Sequence, residues 1–469
     1  MKKSYLALLV SVIFILATVG SSFAAMGEGT VSAKKGVDIV LFGSNLMIPS
    51  YYENLTDFND DTSDKTLLEG GWSSGFFVRN ELRLGFKGTG ENWGFKVILE
   101  NDIIMSKANG DRNDYGNADD PFGSEFGVER SNFWYDFGPV KLSAGWDIKF
   151  CDIKTGGLVY GDDHPFISLT GGDKTLNWDL TVLIINDLDD LTDNFTDEEN
   201  GDWYAYYGKL NYTFSAGDNA KFTISPFMAF SDMGSQASKS GVDCEAYYFG
   251  VEGYGNFGII QPAFEVAYVC GEVGDDVDID AWAGMVGVTV AINPAFNPYF
   301  CLTYQSGDDD PLDDDAEGFV GITNIGRHAR YGMYHSILGE HFTAIGSPLY
   351  AISTEGWTGG NNYGGIGGGG SGNNPGLIYV NVGAKGKIEK VSYKAQAGYL
   401  WTAEDEDGVT GGDDDIGWII DLQAGYPISK NFSVLATASY FDPDDAAEFK
   451  NNGNDDAAYL ANVQIAWKW

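Results

Sequence analysis

The connections between the strand-like segments of this chain alternate in length, short then long. The short ones are GTGE (88–91), Gly138-Pro139, GGDK (171–174), SAGDN (215–219), Gly255-Asn256, NPAFN (293–297), Glu389-Lys390 and PISK (427–430). The long ones fall at 48–74, 103–126, 152–163, 187–202, 232–243, 272–277, 307–375, 403–414 and 442–456. Strict alternation sends every long loop to one end of the structure and every short turn to the other. Between them the pattern has a period of two. In 140–150, Val140, Leu142, Ala144, Trp146, Ile148 and Phe150 face one way, and Lys141, Ser143, Gly145, Asp147 and Lys149 face the other. That period is the signature of a strand with one apolar and one polar face.

Such segments run at roughly 36–47, 75–88, 92–102, 127–138, 140–151, 164–170, 174–186, 203–214, 220–231, 244–255, 258–271, 278–292, 298–306, 376–388, 391–402, 415–425, 431–441 and 457–469. Most have the length a tilted strand needs to cross a bilayer. The sixth is the weakest. Length alone would suggest about three soluble domains. Abundant glycine (63 residues) and 14% aromatics without helical stripes point instead to one large antiparallel β structure. The long connections hold most of the acid: 187–202 carries eight acidic residues and no basic one. A soluble sandwich or propeller has no reason to sort its loops this way. The layout predicts an all-β transmembrane antiparallel barrel of 18 strands, or 16 if the weak segment is lost, with short periplasmic turns and long acidic extracellular loops.

The two ends of the sequence fit that reading. Met1-Lys2-Lys3, the apolar run Leu6–Ala17 and the small residues around Ser22-Phe23-Ala24 predict a cleaved signal over 1–24. An N-terminal periplasmic segment at 25–35 and a single barrel domain at 36–469 follow. The final stretch DAAYLANVQIAWKW alternates strictly. In a closed barrel it pairs with 36–47, because hydrocarbon tolerates no free edge. Trp467 and Trp469 then stand at the membrane interface. Cys151, Cys244, Cys270 and Cys301 form no CxxC, and Cys244 and Cys270 fall on opposite faces, which predicts free thiols.

Signal, alternating strands, long outer loops and a terminal aromatic strand together resemble the bacterial outer-membrane porins, over the whole mature chain. The resemblance implies a location in the cell outer membrane, contact with membrane lipid and lipopolysaccharide, insertion by the outer-membrane assembly machinery, and a homotrimer. It also implies a constriction in which a basic ladder on the wall faces acids on an inward-folded third loop. Arg79 and Arg83 share a lumenal row, Arg130 has lumenal parity and Lys96 lies between, while Asp162 and Asp163 sit in the third long loop. The bland alternative is that the arginines pair with Glu81 and neighbours as scaffolding. His164 beside Asp162 and Asp163 is the closest approach to a catalytic pair, and it reads as a loop feature, so no catalytic residue and no enzyme activity are assigned.

The segment 307–375 holds Arg327, His328, Arg330 and His335 beside a glycine tract. It is long enough to fold into the mouth as a gate or to serve as a subunit contact. Its histidine spacings match no common metal site. No cofactor is expected beyond weak calcium binding to the acidic loops, and a net charge of −40 excludes nucleic acid as a partner. The resulting expectation is a passive diffusion channel for ions and small hydrophilic solutes, preferring cations. The alternative is a substrate-selective or gated channel for an oligosaccharide, an organic acid or a partner protein.

Overall fold

The computed structural model describes residues 27–34, 37–54, 75–104, 127–152, 154–186, 202–215, 217, 220–235, 242–274, 277–310, 313–322, 374–405, 410–450 and 453–469. The first half of the chain gives β1 (Gly27–Lys34), β2 (Val37–Glu53), β3 (Gly75–Thr89), β4 (Trp93–Ile104), β5 (Gly127–Asp136), β6 (Val140–Phe150), β7 (Gly161–Gly172), β8 (Leu176–Asn186) and β9 (Trp203–Ser215). The second half gives β10 (Ala220–Met233), β11 (Cys244–Phe257), β12 (Ile260–Val273), β13 (Val277–Val290), β14 (Asn297–Gln305) and the two-residue β15 (Asp315–Ala316). It continues with β16 (Leu377–Ile388), β17 (Val391–Trp401), β18 (Asp415–Pro427), β19 (Phe432–Pro443), a short helix α1 (Asp445–Lys450) and β20 (Ala458–Lys468).

Of these twenty strands, β1 and β15 stand outside the ring; the other eighteen pair antiparallel, neighbour to neighbour, and close where β2 meets β20. The weak sixth segment is a full strand, β7, of 12 residues. Closure is completed by the final residue. Gly43 and Trp469 exchange two backbone hydrogen bonds of 3.1 and 3.2 Å. The Trp469 indole lies where a Cβ on Gly43 would stand, which only glycine permits. The Trp467 ring lies tilted beside it, with centroids 5.1 Å apart. Below that point β1 takes over as the partner of β2, pairing Gly27 with Gly43 through Lys34 with Val37. The signal segment 1–24 lies outside the described residues.

The outward rows are apolar and uncovered: Phe76 is 62% exposed, Ile167 57%, Val382 55% and Trp282 50%. A closed sheet with this outer surface is solvated by hydrocarbon, because water would drive so large an apolar patch into contact with something else. The inward rows are not uniformly polar, contrary to the expectation from alternation. An apolar cluster fills one side of the barrel interior, built from β9–β13 residues such as Tyr207, Phe227, Tyr248, Val269 and Ala281 and from the inward-folded segments below. Cys244 and Cys270 pair with Val273 and Tyr247 respectively, three positions out of step, and all four cysteines are free.

Candidate functional site

Among the described residues, two segments fold into the lumen. The first is 151–160, the connection from β6 to β7, whose Cys151, Asp152, Thr155, Leu158, Val159 and Tyr160 are fully covered. Its stem is closed by a backbone bond from Cys151 to the Tyr160 carbonyl at 3.0 Å. Asp152 accepts the backbone N–H of Val159 at 2.5 Å and of Tyr160 at 3.2 Å. The tip reaches across to β11 and β12. Glu265 accepts from the Thr155 hydroxyl (2.5 Å) and from the N–H groups of Gly156 (2.6 Å), Gly157 (3.1 Å) and Leu158 (3.4 Å). Glu252 accepts from the Lys154 N–H and the Thr155 hydroxyl, both at 3.1 Å, and pairs with Lys209. Lys209 also donates to the Cys151 carbonyl at 2.6 Å. The loop's unpaired donors thus find wall carboxylates instead of water, which is what allows an irregular backbone to be buried there.

The second segment, 306–322, opens the 307–375 connection. Phe319, Val320 and Ile322 are buried. The Ile322 N–H donates to the Val159 carbonyl at 2.8 Å and the Tyr248 hydroxyl to the Val320 carbonyl at 3.1 Å, so the two segments pack as one body. Arg327, His328, Arg330 and His335 lie outside the described residues. Burial pushes the Asp308 carboxyl in this segment up to about 7. A free aspartate ionises near ~3.9. The packed segment therefore holds a proton that the released one gives up. Packing is strongest below ~4, weakens as pH rises towards 7, and is level above that. Hydrogen exchange over 306–322, corrected for the chemical rate, should increase between pH 5 and 8, and Asp308→Asn should flatten the step.

The opposite wall carries the predicted basic ladder, and each cation already has an acid. Arg79 bonds Glu81 at 3.0 Å. Arg83 touches three carboxylates: Glu81 at 3.0 Å, Glu129 at 3.2 Å, and Glu100 in close contact. Lys96 meets Asp147 at 2.6 Å, and Arg130 bridges Glu129 (3.3 Å) and Asp147 (3.7 Å). Glu129 is lumenal because β5 bulges there: Ile98 pairs with Arg130 and Leu99 with Val128, leaving Glu129 without a partner. A bulge shifts parity by one, which turns inwards a residue that plain alternation beside Arg130 would point outwards.

Asp162 and Asp163 are corrected in place. They belong to β7 and not to a loop, because pairing with β6 continues through Ile148–Asp163, Lys149–Asp162 and Phe150–Gly161. Asp162, opposite Lys149, extends the ladder on its own wall instead of facing it, whereas Asp163, opposite Ile148, falls on the outward row. His164, next in line, takes or gives a hydrogen bond to the Tyr160 hydroxyl at 2.9 Å. Sequence reasoning also missed Asp152, Lys209 and Glu252 as loop anchors. Glu265 carried a signal, an acid on an inward row between Ala263 and Ala267.

A third surface spans β14–β19. The Tyr299 hydroxyl crosses Gly383 to donate to Gln396 Oε1 at 2.6 Å. Gln396 Nε2 donates to Asp421 at 2.7 Å, and Ser439 donates to the same carboxylate at 2.7 Å. Tyr248 is only 1% exposed and packs against Phe319, so its ring is covered by the inward-folded segment and does not line the open channel. The calcium expectation has one counterpart among the described residues: Asp413, Asp414 and Asp415 bring carboxylate oxygens within 4.8 Å of one another.

Comparison with solved structures gives the same architecture. The chain resembles Pseudomonas aeruginosa OccK11 (OpdR) with a TM-score of 0.51, 9% identity, and coverage of 95% of this chain and 99% of that one. A BenF-like porin from Pseudomonas fluorescens Pf-5 matches with a TM-score of 0.53, 11% identity, and coverage of 92% and 98%. Pseudomonas aeruginosa OpdK, solved with vanillate, matches with a TM-score of 0.51, 8% identity, and coverage of 91% and 98%. At these identities the likeness is one of fold. No protein-family model matches the chain, and neither does any curated protein sequence.

Proposed function

We propose that this chain is an outer-membrane channel through which ions and small hydrophilic solutes diffuse. The observation that carries the reading is a charged wall open to solvent inside a closed barrel. The Arg83 and Lys96 side chains each keep 27% of their surface accessible, and Glu129 and Asp147 keep 19%. A ring of eighteen strands is wide enough for an aqueous interior. The 151–160 and 306–322 segments narrow it from one side, so the path runs between the β3–β7 ladder and the hydrogen-bonded row of β14–β19. The ladder residues Arg79, Arg83, Lys96, Arg130 and Asp162 line that path, and the acidic outer connections favour cations at its mouth. Signal cleavage and a homotrimeric state complete the proposal.

A second reading is a substrate-selective channel. The fixed row Tyr299–Gln396–Asp421–Ser439 favours it, since a wall whose buried polar groups are tied to one another keeps a set shape around a solute held against the charged ladder. Vanillate in OpdK supports an organic acid as the solute class.

Single-channel current of the refolded mature chain in a planar bilayer tests the first reading. A steady ohmic conductance with a cation-selective reversal potential is expected. A folded, inserted barrel that passes no current would overturn it. Saturation and block by one class of organic acid would move the assignment to the second reading.

A further inference from the structure

The 151–160 segment is held by more carboxyl groups than its surroundings neutralise. Asp152 on the segment, Glu252 on β11 and Glu265 on β12 are all fully buried. Among the described residues, Lys209 on β9 is the cation that meets them, and it pairs with Glu252. Lys154 gives the site its backbone N–H, while its side chain is exposed. The other titratable neighbours are the Cys151 thiol on the stem, the Tyr207 phenol on β9 and the Tyr254 phenol on β11. Thiols and phenols of this kind are neutral at pH 7. From either side, β10 turns Ser225 and Phe227 inwards and β13 turns Met285, none of which titrates. The 306–322 segment meets the stem through the Ile322 N–H.

Hydrogens are short in this group. Thr155 Oγ1 stands 2.5 Å from Glu265 Oε2 and 3.1 Å from Glu252 Oε2, yet a hydroxyl carries one hydrogen. Asp152 lies against Glu265 within hydrogen-bonding reach. An ionised carboxylate only accepts, so two carboxyl groups in contact need a proton between them. A metal ion does not fit in its place. The N–H groups of Gly156, Gly157 and Leu158 already point at Glu265, and those of Val159 and Tyr160 at Asp152. Their positive ends would face the ion.

We infer that Asp152 and Glu265 share a proton that locks the 151–160 segment into the lumen, and that loss of this proton releases the segment and widens the channel. The direction follows from where the proton goes. In the released segment both side chains meet water, and an exposed carboxyl gives up its proton near ~4. Above that pH the packed state holds one proton more than the released state. The ratio of released to packed barrels therefore rises about tenfold per pH unit, and levels off once the packed pair also ionises. Acid keeps the lumen narrow, and rising pH opens it. The widening rests on the reading of 151–160 as an obstruction in a conducting path; the lock itself does not.

Hydrogen exchange over 151–160 in the folded mature chain, corrected for the chemical rate, tests the lock. The Asp308→Asn background removes the pH dependence of the neighbouring segment. In that background exchange should rise about tenfold per pH unit from pH 5 until it levels off. Adding Asp152→Asn, whose amide carries its hydrogens at every pH, should hold exchange level throughout. If that variant does not fold, Glu265→Gln supplies the hydrogen from the other side and should be level too. Level exchange in the background chain, or a rise that persists undiminished in the folded variants, would overturn the proposal. Single-channel records over the same range should spend more time at the high-conductance level as pH rises. A barrel that shows the exchange step and passes no current keeps the lock and loses the channel reading.

Discussion

Glu265→Ala should at least roughly double the single-channel conductance, since the lumen then loses a packed obstruction. Glu265 accepts four hydrogen bonds from the tip of the 151–160 segment, three of them from backbone N–H groups. Each hydrogen bond is worth about 0.5–1.5 kcal/mol net, and each stranded buried donor costs about 1–3 kcal/mol. The tip then has no reason to stay: its donors are better satisfied by lumenal water. Glu252 alone holds only Lys154 and Thr155, so it does not keep the glycines in place. Glu265→Gln should fall between, because the amide oxygen still accepts while the amide nitrogen meets donors. An unchanged conductance in a folded Glu265→Ala barrel would mean that the segment is held by its apolar contacts alone, with Leu158, Val159 and Tyr160 sufficient.

Arg83→Ala should shift selectivity strongly towards cations. One guanidinium lies within ion-pair range of Glu81, Glu100 and Glu129. Its removal leaves three carboxylates, with Arg79 and Arg130 at the edges of the cluster. Unit charges about 4 Å apart near a protein surface interact by about 4 kcal/mol, so the loss of the central cation changes the local field more than any single alteration elsewhere on this wall. The cation-to-anion permeability ratio should rise severalfold at about 0.1 M salt and return towards the unaltered value near 1 M, where the screening length falls from ~10 Å to ~3 Å. Reversal potentials at both salt levels read this directly. If the ratio does not move at low salt, the ladder is scaffolding and the conduction path lies elsewhere.

Much of the fold was legible from the chain because membrane strands obey two simple rules. Each must alternate, and each must be long enough to cross. The eighteen segments read from alternation agree with the ring strands to within a few residues, including β7, whose short apolar stretch made it the least certain. Its extra length comes from Gly161, Asp162 and Asp163, which pair with β6 although nothing in their own composition favours a strand. The ladder residues were visible as lumenal parity. Their partners were not, because Glu129 reaches the lumen through a bulge and Asp147 meets Lys96 from two strands away.

The period-two pattern and the alternating loop lengths by themselves determined that this chain is a closed antiparallel barrel with polar charges turned inwards on its early strands. Both are local properties, set by the geometry of a single strand and the solvent on each face. Only the tertiary structure decided what occupies the interior. A connection folds inwards when distant strands supply acceptors for its backbone, and Glu252 and Glu265 lie about a hundred residues from the loop they hold. That pairing depends on which strands the closed ring brings to face one another, a relation that no periodicity along the chain records.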